Sequence, residues 1–519
     1  MVRWCTATTI YKGRVTVITF GSDVPFAKNP CLKTKINLKL ETTNIKPTSN
    51  STEYTCKTKY YLLQYTRGIN TEVIQVENIT KKEIQYPYLT KPVEIYERSN
   101  GHKIVFAHKE GGLVNISSWV KTGSINETDE NNGISHFLEH LMFKGTHKHK
   151  AGYFDKTLES KGAIVNAATW KDYTFYYVTL PQGPNGEYFK QAIELHADMM
   201  LDPIIPEEEI GAPFTLGDNT VKTKRERHVV IEEIRMRQDQ PWTKIYNSTN
   251  NNMYTSHPYK RDVIGFPETI AAISRETILD YYKTHYTPNN ITTIVAGDFD
   301  HEEILQKVCK EFDFKGRENH QNLQHAIDTP TQESKYIELT GKINTGFLIT
   351  GWLGPIAKDI KDNIGLEIIN IIMGEGQSAR LYQNLIEKAK EPIFNIVATD
   401  FYNFKDGGNF FIQANFKADK KEDAINLLKK ETEKVLNNDI TEKEFNKAKK
   451  KLKVRFAEGA ETVSEIAENI GYYMTVCDDL DLAEKYIEVL DSYTIEETTA
   501  VAKKYLALNN AVTTVLLPE

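Results

Sequence analysis

Hydrophobic and polar positions follow three different patterns along the chain. Residues 1–88 are rich in Thr, Lys, Asn and Tyr, and short β-branched runs such as VTVITF at 15–20 predict strands joined by polar turns. From 89 to 315, strand patterns alternate with helical patterns of period 3.6, and the same order returns from 330 to 519. The pattern predicts a β-rich or partly ordered N-terminal extension, without recognisable chemistry, followed by two α+β domains.

The two predicted domains resemble each other in sequence. When Met142 is laid on Met373, FLEHLMFKG at 137–145 matches IINIIMGEG at 368–376, apolar position on apolar position. The two segments are too far apart along the chain to be neighbouring units of a solenoid of short repeats. We therefore expect an internal duplication with one copy in 89–315 and the other in 330–519.

Composition and charge exclude several classes of function. The chain is 40% hydrophobic and 26% charged with a net charge of −7, which offers no concentrated basic surface for nucleic acid. It has no apolar run long enough for a membrane span and no evident secretory signal. The five cysteines never form a CxxC pair, so they indicate neither a disulfide scaffold nor a cysteine metal site. We expect a soluble protein and favour the cytoplasm, although the sequence leaves the compartment open.

His136, Glu139 and His140 form the strongest chemical signal in the chain. They lie in a predicted helix over 133–144, where positions i, i+3 and i+4 project from one face. Two neutral imidazoles one turn apart can bind zinc, and an adjacent carboxylate can accept a proton from water. The alternative is a helix face that carries these side chains without a metal. We predict one zinc ion per chain, with Glu139 as general base.

A catalytic zinc site needs a third protein ligand, and Glu233 is the best candidate. Its predicted neighbours on the helix 226–238 include Val229, Val230 and Met236, so the pattern places it within an apolar stripe. A carboxylate there needs a cation or hydrogen bonds to compensate its burial. Glu226 lies two turns earlier on the same face and is a candidate partner for a ligand, whereas Glu232 is predicted to be solvated. In the alternative, Glu233 merely borders the core.

These motifs together resemble the inverzincin zinc metallopeptidases, the superfamily of insulinase, pitrilysin and the mitochondrial processing peptidase. The resemblance covers 89–519, is nearest to the short bacterial zinc-protease branch, and rests on the following stretches: SHFLEHLMFKGT, NAATWKDYTFYY, ADMMLDPIIPEEE, ERHVVIEEIRMRQD, HPY and YTPNNITTIVAGD. It implies that each domain is a mainly antiparallel sheet packed with helices. It also implies that His136, His140 and Glu233 bind zinc, that Glu139 is the base and that Glu226 is an accessory acid.

The resemblance also implies where a substrate binds. The segment Asn166, Ala167, Ala168 and Thr169 is similar to the family strand whose exposed edge pairs with the peptide backbone. An ordinary core strand is the alternative. The second copy of the motif has Glu367, Asn370 and Ile371 in place of the metal residues, so the resemblance implies a C-terminal domain without a metal site.

Two departures from the family pattern matter. The segment 211–224 is inserted before the helix of Glu233 and is predicted to be a surface loop. Many self-sufficient members carry an Arg and a Tyr in the C-terminal domain that hold the substrate, and Ile386 and Phe394 stand there in this chain. A heterodimer with a related subunit that lacks the zinc motif is one explanation. The other is that Arg380 or Tyr382 takes over the role within one chain.

The sequence therefore predicts a zinc metallopeptidase, an endopeptidase or oligopeptidase, that hydrolyses peptides or unfolded polypeptides. A non-catalytic or conditionally active subunit of a processing or assembly complex is the alternative. The intact set of His136, Glu139, His140 and Glu233 favours the enzyme, because a scaffold has no need of it.

Overall fold

The structure is a computed structural model that describes residues 5–11, 14–20, 56–59, 78–217, 225–330 and 333–519. The strands β1 (Cys5–Tyr11) and β2 (Arg14–Phe20) form an antiparallel hairpin, in agreement with the strand predicted at 15–20. Segments 21–55 and 60–77 of the predicted extension lie outside the described residues.

Eight strands form the first sheet. Neighbouring strands form seven pairs, of which β6 with β10 is parallel and the other six are antiparallel. The order across the sheet is β3-β4-β5-β6-β10-β7-β9-β8. The strands are β3 (Cys56–Lys59), β4 (Asn78–Ile84), β5 (Val93–Arg98), β6 (Lys103–His108), β7 (Leu113–Val120), β8 (Ile164–Thr169), β9 (Thr174–Pro181) and β10 (Ile291–Gly297).

Nine helices belong to this half of the described chain. They are α1 (Ile134–Met142), α2 (Tyr153–Glu159), α3 (Glu187–Leu201), α4 (Glu207–Ile210), α5 (Glu226–Gln238), α6 (Pro241–Met253), α7 (Pro267–Ala272), α8 (Arg275–His285) and α9 (His301–Glu311). Apolar side chains of α1, α3, α5 and α8 pack with the inner face of the sheet into one core.

Five strands form the second sheet in the order β11-β15-β12-β14-β13. The strands are β11 (Lys335–Gly341), β12 (Gly346–Gly354), β13 (Phe394–Phe404), β14 (Gly407–Phe416) and β15 (Val512–Pro518). The helices of this half are α10 (Ile360–Met373), α11 (Arg380–Tyr382), α12 (Lys421–Leu436), α13 (Glu442–Glu458), α14 (Val463–Thr475), α15 (Asp481–Ser492) and α16 (Ile495–Tyr505). A π-helical turn, Gln383–Glu387, continues α11.

The second sheet repeats five strands of the first. β11, β15, β12, β14 and β13 take the places of β6, β10, β7, β9 and β8, and each parallel or antiparallel relation is the same. The helix α10 follows β12 as α1 follows β7, and the two helices end at Met373 and Met142. The topology agrees with the duplication that the sequence indicates. The fold is two α+β domains with mixed, mainly antiparallel sheets, as predicted.

Each half has one helix that packs against the sheet of the other half. α6 packs against β12 and β15 of the second sheet, and α14 packs against β7 and β10 of the first. The approach of α14 is very close: a Cβ on Gly471 would lie 2.0 Å from the indole of the buried Trp119. Only glycine fits there, because a methyl group needs about 3.4 Å or more from a ring atom.

The N-terminal boundary of the first sheet falls earlier than residue 89. β3 and β4, which lie in the predicted extension 1–88, pair with each other and then with β5. The edges of the predicted domains at 89–315 and 330–519 stay predictions. In the described parts of the chain, no helix combines the length and apolar character needed to cross a membrane.

Candidate metal centre

The helix α1 presents His136 and His140 at its surface while its other face is buried. Phe137, Leu138 and Leu141 have no exposed surface, and the imidazoles keep 12% and 22% of theirs. This division follows from the 3.6-residue period, which places the two histidines on one side of the helix. The predicted helix over 133–144 is confirmed.

A buried acid that the sequence did not single out fixes the start of α1. Glu127 accepts hydrogen bonds from the backbone nitrogens of Gly133 (2.8 Å) and Ser135 (2.9 Å), which are free donors at a helix N-terminus. Gly133 itself has φ of 95°, and a Cβ there would lie 2.6 Å from the carbonyl oxygen of Ile264. The carboxylate therefore holds the helix, and with it the two histidines, in place.

Glu233 projects from α5 toward both histidines. Its Oε2 lies 3.8 Å from His136 Nε2 and 3.6 Å from His140 Nε2. The sequence argument for its position was partly wrong, because Val229 and Met236 are 51% and 62% exposed and form no buried stripe. Glu233 lies beside the core instead, on the side of α5 that faces α1.

Arg227 explains why α5 holds this orientation. Its buried guanidinium donates to the carbonyl oxygens of Ala271 (2.5 Å) and Ile273 (2.6 Å), which ties α5 to the end of α7. The next acid along the helix, Glu232, points to solvent and pairs with Arg235 at 2.7 Å. The prediction that Glu232 is solvated is confirmed.

Glu226 contacts His140 at Nδ1, the ring nitrogen that does not face Glu233. Its Oε1 lies 2.9 Å from His140 Nδ1, and its Oε2 lies 2.5 Å from Lys144 Nζ. When Nδ1–H donates to this carboxylate, the Nε2 lone pair of His140 is free and points toward Glu233. A carboxylate behind a histidine is the usual way in which proteins fix the tautomer of a metal ligand.

Glu139 lies between the histidines and the edge strand β8. Thr169 Oγ1 donates to Glu139 Oε2 at 2.6 Å. β8 is the last strand of the first sheet, and in the described ranges nothing pairs with its outer edge. None of its residues is buried, so the alternative of an ordinary core strand does not hold for Asn166, Ala167, Ala168 and Thr169.

Burial and neighbouring charges set the protonation of the cluster. Burial, with smaller contributions from His140 and Arg237, lowers the pKa of His136 to about 3, so this imidazole is neutral near pH 7. Burial, the largest single effect, lowers the pKa of His140, but the bond to Glu226 and the negative charges of Glu139, Glu226 and Glu233 together outweigh it, so the net shift is upward. Burial raises the pKa of Glu139 despite the bond from Thr169.

The three predicted ligands fit a zinc ion. One ligand atom each from His136, His140 and Glu233 lies within 4.8 Å of the other two, and no other such set of three occurs in the described residues. In a tetrahedral site with ligands at about 2.1 Å, ligand atoms are about 3.4 Å apart, near the 3.6 Å and 3.8 Å found here. His140 Nδ1 contacts Glu226, so its Nε2 faces the site, and His136 Nδ1 is buried without a hydrogen-bond partner in the described residues.

A cavity of about 350 Å³ opens beside the cluster, between the two halves. Arg237, which lies 3.4 Å from Glu233 Oε1, forms part of its wall. Trp170, one residue after the edge strand, faces Tyr402 of the second sheet across it with ring centres 6.4 Å apart. The cavity therefore borders both halves, and Arg237 links its wall to Glu233 of the cluster.

The C-terminal residues with predicted substrate roles lie in different surroundings. Phe394 is buried at 3% exposure, and Ile386 packs against the same core. Arg380 donates to both carboxylate oxygens of Glu444, at 2.6 and 2.7 Å, and its side chain is 10% exposed. The structure does not bring Arg380 into contact with His136, Glu139, His140 or Glu233, so its predicted contact with substrate stays a prediction.

Family models match most of the two α+β halves. Residues 103–265 match the model described as insulinase, peptidase family M16, and residues 272–452 match the one described as peptidase M16 inactive domain. The chain belongs to the insulinase family. The boundary between the two matches falls after the metal cluster, so all its residues lie in the first. The second match agrees with the loss of the motif at Glu367, Asn370 and Ile371.

Several zinc proteases are similar to this family member. The zinc protease PqqE of Helicobacter pylori is 28% identical over 81% of this chain and 91% of its own length. A Bacillus subtilis protein named as an uncharacterized zinc protease, YmxG, is 24% identical over 79% of this chain and 95% of its own length. A probable mitochondrial-processing peptidase subunit beta of Arabidopsis thaliana is 26% identical over 75% and 72%. The resemblance to the short bacterial zinc proteases is confirmed.

Solved structures show the same fold. A protease from Helicobacter pylori superposes with a TM-score of 0.72 at 25% identity, covering 82% of this chain and 99% of that one. A peptidase M16 inactive domain from Pseudomonas fluorescens has a TM-score of 0.73 at 17% identity over 82% and 98%. The insulinase-family fold therefore extends over both halves of the chain.

Proposed function

We propose that this member of the insulinase family is a zinc-dependent peptidase that hydrolyses flexible peptides or unfolded polypeptides. The observation that carries the proposal is the convergence of His136, His140 and Glu233 on one point, with Glu139 on the same helix face. A non-catalytic subunit would have no need of this arrangement. The zinc proteases among its relatives support the same assignment.

Each side chain has a defined part in the proposed reaction. His136, His140 and Glu233 would hold one zinc ion, and Glu226 would orient His140 through Nδ1. A bound zinc ion supplies Lewis acidity toward the peptide carbonyl and acidifies water. Glu139 accepts the proton of the attacking water on its carboxylate and delivers it to the nitrogen of the leaving amine.

The edge strand explains how a peptide reaches the cluster. We infer that the substrate backbone adds to the outer edge of β8 along Asn166, Ala167, Ala168 and Thr169. Main-chain hydrogen bonds give affinity with little dependence on sequence. Because Thr169 contacts Glu139, a strand added there passes next to the general base. An extended strand cannot form from a folded protein without unfolding it, so flexible chains are the favoured substrates.

The test measures metal and activity in the same samples. The purified chain should contain one zinc ion and cleave an unstructured peptide, and chelation should abolish the cleavage. Glu139→Gln should keep zinc and lose about 10²–10⁴-fold in kcat, because the amide cannot accept the proton. Glu159→Gln, an exposed acid at the end of α2, is the matched control. A Glu139→Gln variant with more than about a tenth of the activity would refute the assignment of the base.

We also propose that full activity requires a second, related subunit. Ile386 and Phe394 pack into the core of the second half and carry no side-chain donor for a peptide carbonyl. Arg380 is held by Glu444. A partner with the Arg and Tyr of the family pattern would complete the site. The relative named as a processing-peptidase subunit supports the idea that such chains act in complexes.

A further inference from the structure

A second cavity, of about 340 Å³, is lined by residues of the C-terminal half and by Trp170 of the first half. Glu367, which corresponds to His136 in the duplication, lies on its wall. One carboxylate oxygen accepts a hydrogen bond from Tyr486, and no cation lies within ion-pair distance of this group in the part of the chain that the structure describes. Burial raises the pKa of Glu367 to about 6.

A carboxylate in such a place requires an explanation. An ionised acid that is removed from water is costly unless a cation or several hydrogen bonds compensate it. Arg455 is the one cation on the cavity wall, and its guanidinium pairs with Glu375 at 2.6 Å. Glu367 is therefore ionised at neutral pH with one hydrogen bond, from Tyr486, and without an ion-pair partner in the described residues, since Arg455 acts on it only at a distance.

A second acceptor on the wall, Asn363 Oδ1, lacks a hydrogen-bond donor in the described part of the chain. Asn363 is 3% exposed, and its amide nitrogen donates to the carbonyl oxygens of Ile356 (3.0 Å) and Ala357 (3.1 Å). Those two bonds fix the orientation of the amide, and its Oδ1 then has no hydrogen-bond donor within the described residues. Glu367 lies one helical turn later on α10, so both acceptors lie on the same side of that helix.

Aromatic rings form most of the remaining wall. Seven aromatic side chains line the cavity, and Phe456 and Tyr486 stack with ring centres 5.4 Å apart. Tyr472 and Tyr473 meet edge to face at 5.6 Å. Ring faces attract cations that have lost part of their hydration, and they also pack well against apolar groups.

We propose that this cavity is a binding site for an organic ammonium ion, a primary amine on an aromatic or apolar body. The ammonium group would donate to the Glu367 carboxylate, whose only hydrogen-bond donor within the described residues is Tyr486, and to Asn363 Oδ1, which has none. The body would lie against the rings of Phe456 and Tyr486. No residue of the metal cluster lines this cavity, although Trp170 and Tyr402 border both cavities, and the proposal does not depend on the proposed peptidase activity.

The probe is 2-phenylethylammonium, with 2-phenylethanol as a neutral molecule of the same shape. Calorimetry on the full chain at pH 7.5, where Glu367 is ionised, measures both. We expect saturable binding of the ammonium probe and at least about tenfold weaker binding of the alcohol, because a hydrogen bond between charged groups is lost. Equal binding of the two probes, or no saturation by about 10 mM ammonium, would overturn the proposal.

Variants locate the binding in the cavity. Glu367→Gln keeps the shape and the acceptor for Tyr486 but removes the charge, and it should weaken binding of the ammonium probe about tenfold to hundredfold. Glu461→Gln, an exposed acid in the turn after α13, should leave the affinity unchanged. If Glu367→Gln binds the probe as tightly as the original chain, the site lies elsewhere. If that variant does not fold, the comparison of the two probes on the original chain still decides.

Discussion

Thr169 donates a hydrogen bond of 2.6 Å to Glu139, and this bond joins the edge strand β8 to the helix of the metal cluster. The carboxylate that we assign as general base is thus oriented by the residue at the end of the strand along which a peptide is proposed to bind. Burial and this bond act on Glu139 in opposite directions: burial raises the pKa of the carboxyl group and the bond lowers it. The position of β8 and the state of the base are therefore coupled.

Replacing Thr169 by Val should lower kcat while zinc content stays the same. The change removes the donor and keeps the shape, and a hydrogen bond to a charged group contributes about 1.5–3 kcal/mol, or roughly tenfold to hundredfold in rate. Steady-state kinetics and metal analysis test this. Thr169→Ser retains the hydroxyl and should restore most of the rate. An unchanged kcat in Thr169→Val would show that the bond does not position the base.

The assignment of Glu233 is tested against its neighbour in the sequence. Glu233→Gln should lower zinc affinity strongly, because the Glu233 carboxylate is the third proposed ligand. Its Oε2 lies 3.6 Å from His140 Nε2 and 3.8 Å from His136 Nε2. Glu232→Gln should bind zinc normally, since that carboxylate pairs with Arg235 in solvent. Competition with a chromogenic chelator measures both affinities. The reverse result would move the ligand assignment by one residue.

Much of the first half could be predicted from local sequence. The helix of His136 and His140 rests on short-range periodicity, the duplication on the match between two segments of the sequence, and the edge strand on the family resemblance. Glu226 could be placed near a ligand because two turns of one helix fix the relation. Its contact with Lys144 could not be predicted, because Lys144 lies 82 positions earlier and only tertiary packing brings the two together.

Other features depend on contacts that have no local signal. Glu127 reaches the N-terminus of α1 across a loop, and Arg227 binds carbonyl oxygens more than 40 residues away. The apolar neighbours of Glu233 suggested a buried stripe, yet Val229 and Met236 are exposed because the core covers a different face of α5. A helical period identifies which residues share a face but not which face the rest of the protein covers.

Glu367 should make stability depend on pH. Its pKa rises from 4.5 to about 6 on folding, so the folded state binds more protons between these values. The contribution of this group to the free energy of unfolding is complete below pH 4.5 and is lost as the pH rises through 6. The loss is at most about 2 kcal/mol, because the open cavity lets solvent screen the charge. Glu367→Gln cannot ionise and should therefore be more stable than the original chain at pH 7.5, with no gain at pH 4.5.

Urea unfolding of both proteins at the two pH values measures the difference. Glu375→Gln provides a control of opposite sign. Although burial alone would raise the pKa of Glu375, its bonds to Arg455 and Lys451 lower the net value, so its loss should destabilise the protein at pH 7.5. A Glu367→Gln variant that is less stable than the original chain at pH 7.5 would contradict the prediction.

The last prediction concerns Arg380 and the second subunit. Because Arg380 is held by both oxygens of Glu444, we expect it to stabilise the C-terminal half rather than hold the substrate. Arg380→Ala and Glu444→Gln should then each reduce the free energy of unfolding by about 1–3 kcal/mol, between the values for exposed and buried pairs. Both variants should leave kcat/KM nearly unchanged.

The two variants separate the possible roles, because Glu444→Gln removes the charged partner of Arg380 and keeps the arginine, which still donates to the carbonyl oxygen of Asp439. If Arg380 binds the substrate, Arg380→Ala loses activity and Glu444→Gln keeps it. If a partner supplies the missing contacts, neither variant changes the activity of the zinc-loaded chain, which is then low. Addition of a related subunit that carries the Arg and Tyr should raise kcat/KM by about tenfold to hundredfold, the value of a charged hydrogen bond to the substrate. Vigorous turnover by a chain that light scattering shows to be monomeric would rule out the requirement for a partner.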